Sequence, residues 1–180
     1  MGQASTASAC RTWLAAACTA LLLWPACCRA QSAAEYAAKA AFIYNIALFT
    51  TFPHLDAGLV RLCVLGRDPF DGALAALQGK PVGSARLAIE HPRSAEDAMK
   101  RCQILFISDS EGDRIGALVE AGKDAPVLTV ADMKGAARHG VMLELAVQDK
   151  RIGFEFNGAA ARSANITVSS KVLRLAKAVY

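Results

Sequence analysis

The chain has 180 residues, 54% of them apolar and 20% charged, with a formal net charge of +4. So small a charge, with no run of Lys or Arg to concentrate it, excludes the electrostatic footprint of a nucleic-acid binder. The apolar fraction is raised by the first thirty residues, where Arg11 precedes an apolar run from Trp13 to Trp24, then Pro25 and small residues up to Ala30.

That layout is a secretory signal peptide. Its apolar run of about a dozen residues falls short of the ~20 needed to span a bilayer. Cleavage is expected after Ala30, with Cys28 three positions before the cut, so the division is a signal peptide at 1–30 and an α/β domain at 31–180. Two other readings are lipidation at Cys27 or Cys28, which Trp24 and Pro25 oppose where a Leu-like residue is wanted, and an uncleaved anchor. All three place the folded part outside the cytoplasm.

Residues 31–180 amount to one domain. Losing Arg11 and Arg29 with no acid brings the charge to +2, an ordinary value for solubility. Four of the six cysteines also leave, and Cys63 and Cys102 remain. In an exported chain a bridge between them is expected; two unrelated buried thiols are the alternative.

Residues 32–50 open with Ser32 and Glu35 at the capping-box spacing. Tyr36, Ala40, Ile43, Tyr44, Ala47 and Leu48 recur at helical spacing, Pro53 stops the helix, and its aromatic residues read as core packing. Val60 to Gly66 predicts a buried strand, followed by a turn over Arg67 to Pro69 and a short helix from about Phe70 to Leu77. Residues 84–90 alternate as an edge or half-buried strand does. Ser94 caps a helix to Arg101, with acids first and bases last, the order the helix dipole favours.

QILFIS, residues 103–108, is a second buried strand, followed by a polar turn and a helix over Asp113 to Ala121 that ends at Gly122. PVLTV, 126–130, is a third. Residues 141–156 predict a hairpin turning at Gln148 to Lys150. Gly158 to Tyr180 predicts an Ala-rich helix, an apolar link at Ile166 to Val168 and a final amphipathic helix capped by Ser169 or Ser170. The resulting fold class is α/β: a single three-layer, Rossmann-like domain with a mostly parallel sheet, a C-terminal antiparallel hairpin and helices on both faces.

Loop Gly66 to Phe70 sits where open α/β sheets bind ligands. It lacks the further glycines of a dinucleotide fingerprint, and Pro69 removes a backbone donor. Asp68 caps the following helix, or Arg67, Asp68 and Phe70 form a small-ligand site, Arg67 taking a carboxylate. His54, His91 and His139 are scattered, so no metal site is expected. No nucleophile elbow accompanies Ser108, Ser110, Ser169 or Ser170, and Asp109, Glu111 and Asp113 read as a solvated helix start. The residues therefore describe a binding protein without cofactor or catalytic groups.

The runs EYAAKAAFIYNIALFTTFP, LCVLGRDPF, RCQILFIS, PVLTVAD and FEFNGAAARSANITVSSKVLRLAK, in this order and spacing, resemble the YfiR family across nearly all of residues 31–180. The resemblance implies a periplasmic, non-enzymatic repressor. Its partner would be the periplasmic domain of an inner-membrane diguanylate cyclase, so that it controls cyclic di-GMP and biofilm. An OmpA-like outer-membrane lipoprotein is implied as a sequestering partner, and a homodimer as the assembly. Cys63 and Cys102 match the family's bridge. Its second bridge falls in the hairpin, where this chain has Leu145, Ala146 and Ile152 instead, which weakens a two-disulfide redox switch. Arg162, Ser169, Ser170 and Lys171 match the terminal signature and are the expected partner surface. The alternative is a periplasmic small-molecule-binding module serving a sensor kinase or transporter.

Overall fold

The computed structural model describes residues 32–53, 55, 58–148 and 151–180, so the expected signal segment at 1–30 lies outside the described residues. The chain divides into two units, Met1–Glu35 and Tyr36–Tyr180. Residues 32–35 of the first are helical, Ser32 included; the second holds the fold.

Helix α1 covers residues 32–48 and buries Ala40, Ile43, Ile46 and Ala47, one face of a 3.6-residue period. Strand β1 (Thr50–Thr51) follows, then β2 (Leu59–Leu65). The α-helix expected over 70–77 does not form. Asp71 and Gly72 take φ of 47° and 83°, outside the helical region, and only a 3-10 turn, Ala75–Leu77, follows. Strands β3 (Pro81–Val82) and β4 (Ala85–Glu90) make a tight antiparallel pair.

Helix α2 (Ala95–Arg101) is capped by Ser94, whose Oγ accepts the Asp97 N–H at 3.2 Å. A hydrogen bond from Lys100 holds the Glu96 carboxyl below its usual range. Strand β5 (Ile104–Ile107), a 3-10 turn (Asp109–Arg114), α3 (Ile115–Ala121) and β6 (Leu128–Ala131) come next. A third 3-10 turn, Ala136–His139, is bracketed by Gly135 and Gly140, both at positive φ. The hairpin is β7 (Leu143–Gln148) and β8 (Arg151–Phe156).

The C-terminal part departs from expectation. Helix α4 (Gly158–Ser163) and strand β9 (Thr167–Val168) precede α5, which spans only Ser170–Leu173, and the chain then forms strand β10 (Ala178–Val179) where a longer helix was expected. Docking on β8 supplies backbone partners that a lone helix end would lack: Lys177 N–H donates to Phe154 C=O and Tyr180 N–H to Phe156 C=O.

The main sheet runs β10-β8-β7-β6-β5-β2-β4-β3, with β1 and β9 as a separate two-stranded ribbon. Strands β4, β2, β5, β6 and β7 are mutually parallel. Parity sorts the side chains of β2: Val60, Leu62 and Val64 join a cluster with Ile43, Phe106 and Val130, while Cys63 and Leu65 join Ala98, Leu105 and Leu118 in another. With both sides of the central strands buried, near-continuous apolar runs are the stable sequence for them.

Among the described residues, no buried side-chain nitrogen or oxygen lacks a hydrogen-bond partner. Gln103 Oε1 accepts the Arg61 N–H at 2.8 Å, and Glu144 accepts the N–H groups of Gly135 and Ala137 at 2.9 and 3.0 Å. Lys39 Nζ lies 2.8 Å from Asp132 Oδ2, both side chains only 6% exposed, tying α1 to the end of β6. Substituting Asp132→Asn is expected to lower unfolding free energy by about 1–3 kcal/mol, because a buried carboxylate facing the Lys39 ammonium is replaced by a neutral amide; urea unfolding checks this, and an unchanged midpoint would contradict it.

Candidate functional site

In the parallel part of the sheet the chain runs from β2 to β4 on one side and then returns past β2 to β5 on the other. The order reverses between β2 and β5, and a ligand crevice is expected beyond their carboxyl ends. In this protein the two loops close on each other. Ser108 N–H donates to Leu65 C=O at 3.0 Å, and Arg67 N–H to Ser110 Oγ at 2.9 Å. Gly66 has φ of 90°, and a Cβ there would meet Ser110 Oγ at 2.5 Å and Glu111 Cγ at 2.9 Å. The chain's own side chains fill the mouth.

The expected ligand residues are distributed accordingly. Asp68 Oδ1 accepts the Phe70 N–H at 2.8 Å, and its Oδ2 lies 3.0 Å from His91 Nε2. Phe70 is 1% exposed, edge-on to Tyr36 and Phe106 at centroid distances of 5.5 and 4.7 Å. Arg67 and Asp68 are exposed, whereas Phe70 is buried.

Cys63 and Cys102 are joined in a disulfide. Cys102 is the C-cap residue of α2, so the bridge fastens that helix to β2. Around it Glu90 receives Arg61 at 3.1 Å and Arg101 at 2.8 Å, joining β4, β2 and α2 in one ionic cluster.

Two cavities lie elsewhere. One of about 400 Å³ is lined by Val119, Glu120, Lys123, Thr129, Arg138, His139, Met142, Asn157 and Ala160. Asn157 builds part of it, its Oδ1 accepting the Ala160 N–H to cap α4 and its Nδ2 donating to Ala137 C=O. Arg138 Nε donates to Tyr180 Oη at 3.2 Å, which raises the guanidinium further above its already high value, and Tyr180 Oη donates to Glu155 at 2.6 Å. The other cavity, about 640 Å³, is a groove between α2 and α3 lined by Ala95, Met99, Ala117, Leu118, Ala121 and Pro126. Neither was legible in the sequence. The first brings together α3, the 3-10 turn Ala136–His139 and α4, and its local signal is the pair of glycines, Gly135 and Gly140, around AARH.

The expected partner residues lie on the C-terminal elements. Arg162 is exposed on α4, and Ser169 Oγ accepts the Lys171 N–H at 3.3 Å to cap α5, leaving Ser170 and Lys171 exposed. Among the described residues, no three His, Cys, Asp or Glu side chains converge as metal ligands. Nor is any described helix long and apolar enough to cross a membrane.

The family model DUF4154, described as YfiR/HmsC-like, matches residues 36–177. No curated protein matches the sequence. Among solved structures, a conserved domain protein from Vibrio cholerae O1 biovar El Tor strain N16961 aligns at 12% identity and a TM-score of 0.49, over 67% of this chain and 54% of that one. The ABC domain in complex with L-Trp from Streptococcus pneumonia aligns at 8% identity and 0.49, over 67% and 55%. The chain spans about half the length of these two structures.

Proposed function

The chain belongs to the YfiR/HmsC-like family, and from that membership we propose a periplasmic, non-enzymatic regulator of cyclic di-GMP signalling. It binds the periplasmic domain of an inner-membrane diguanylate cyclase and holds the enzyme off; an OmpA-like outer-membrane lipoprotein relieves the block, and the repressor acts as a homodimer. The carrying observation is the extent of the match, residues 36–177, almost the whole of the unit Tyr36–Tyr180. The Cys63–Cys102 disulfide suits an oxidising compartment, with residues 1–30 as the export signal and 31–180 as one three-layer, Rossmann-like domain with helices on both faces.

Arg162, Ser169, Ser170 and Lys171 form the docking surface in this reading. Co-purification of the protein with the periplasmic domain of a cyclase encoded beside it tests the assignment. Capture that Arg162→Glu weakens, together with lower cyclase activity in cells, is the expected result. No capture and unchanged cyclic di-GMP on deletion would sink it.

The cavity of about 400 Å³ favours a second reading, a small-molecule module serving a sensor kinase or transporter. Its lining, with Lys123 and Arg138 against Glu120, carries a net positive charge that suits an anion, whereas the loop at Arg67, Asp68 and Phe70 offers an exposed guanidinium and little room. A cavity ligand supplied at a hundred times its Kd is expected to stabilise the fold by about 2.7 kcal/mol. Thermal melts against a panel of small acids, with Arg138→Ala and Arg67→Ala, show which site responds.

A further inference from the structure

Charge is divided unevenly along this chain. Residues 31–155 carry 14 Lys and Arg against 16 Asp and Glu, whereas residues 156–180 carry four cations, Arg162, Lys171, Arg174 and Lys177, and no acid. The fold turns part of that excess into a face. Helix α5 buries Val172 and packs Leu173 and Ala176 on the core. The Arg174 and Leu175 N–H groups still donate to Ser170 and Val172 C=O, carrying the helical turn past Leu173. Lys171, Arg174 and Leu175 therefore share the outward side at i, i+3 and i+4.

Leu175 is 75% exposed, the most exposed large apolar side chain among the described residues. Next to α5, Ser169 N–H donates to Phe49 C=O, which brings the exposed Leu48 and Phe49 to the start of the same helix. Among the described residues Arg162, Lys171 and Arg174 have no carboxylate partner, whereas Arg61, Arg101 and Arg114 do. Neither of the two cavities described above is lined by Lys171, Arg174 or Leu175.

Unpaired cations on flexible stems around a protruding leucine match a diffuse negative surface into which one apolar side chain can enter. We propose that the α5 face is a peripheral docking surface for an anionic lipid bilayer. Phosphate headgroups take Lys171 and Arg174, and Leu175 enters the interface. The face shares Lys171 with the proposed cyclase-docking surface, and its vesicle measurements contain no protein partner, so the two readings fail separately.

The probe is vesicle co-sedimentation of the protein recovered from the compartment to which cells deliver it. Vesicles of phosphatidylethanolamine with phosphatidylglycerol are compared with pure phosphatidylcholine. Binding only to the anionic vesicles, abolished by high salt, is expected. Arg174→Glu and Leu175→Ser should each lower the binding constant about tenfold, with unchanged melting, while the exposed Lys134→Glu should not. Equal binding to both vesicles, binding to neither, or indifference to both variants overturns the proposal. If the variants spare vesicle binding but abolish capture of a cyclase domain, the face belongs to an acidic protein surface, and the lipid assignment falls while the regulatory function stands.

Discussion

Replacing Cys63 or Cys102 with serine is expected to lower the unfolding free energy by about 2–5 kcal/mol. The bridge closes a loop of 39 residues in sequence separation, for which the chain-entropy model gives about 4 kcal/mol. The environment adds to this. Cys63 is fully buried and Cys102 is 4% exposed, so a serine at either place buries a hydroxyl among Leu105, Ala98 and Leu118. Urea unfolding of oxidised protein, reduced protein and Cys63→Ala/Cys102→Ala separates the two contributions, because the alanine pair removes the cross-link without a buried hydroxyl. Equal midpoints for oxidised and reduced protein would refute the expectation.

Phe70→Ala is expected to cost about 3–5 kcal/mol, the range for removing a large aromatic side chain from a packed core. Phe70 is held between Tyr36 of α1 and Phe106 of β5, so its loss opens a void where the helix meets the sheet. The substitution therefore also tests how the Arg67 loop is to be read. If Phe70 touches a ligand, binding falls in protein that is still folded; if it is core, melting falls and binding follows only through unfolding. Arg67→Ala, on an exposed side chain, should leave stability nearly unchanged. A Phe70→Ala protein that melts like the parent would contradict the core role.

The long apolar runs were the legible part of the fold. LCVL, ILFI and LTV have the composition of strands buried on both sides, and they became β2, β5 and β6. The Ser94 cap and the charge order of α2 depend on a few neighbouring residues, and they too appear as expected. Errors gathered where local signals are weak. Phe70, Leu74 and Leu77 have helical spacing, yet all three are buried without a helix, since a turn can present the same residues to a core. Strands of two residues, such as β1, β3, β9 and β10, have no period to detect and exist because a neighbour offers backbone groups. The candidate sites followed the same division. Asp68, expected to cap a helix that does not form, instead accepts the Phe70 N–H two residues on within a turn, and the Lys39–Asp132 pair, 93 residues apart, was not readable.

Composition and the order of the runs were enough to read the chain as an α/β protein resembling one family, because those properties depend on residue type and spacing alone. Strand order is different in kind. Only when β5 lies beside β2 do Cys63 and Cys102 come within bonding reach, do Ser110 and Glu111 fill the space against Gly66, and does the ligand-sized cavity open between α3 and α4 instead of at the sheet's carboxyl end. Each of these joins residues distant in sequence, and the choice among pairings is made by burial of the whole core, which no local stretch encodes.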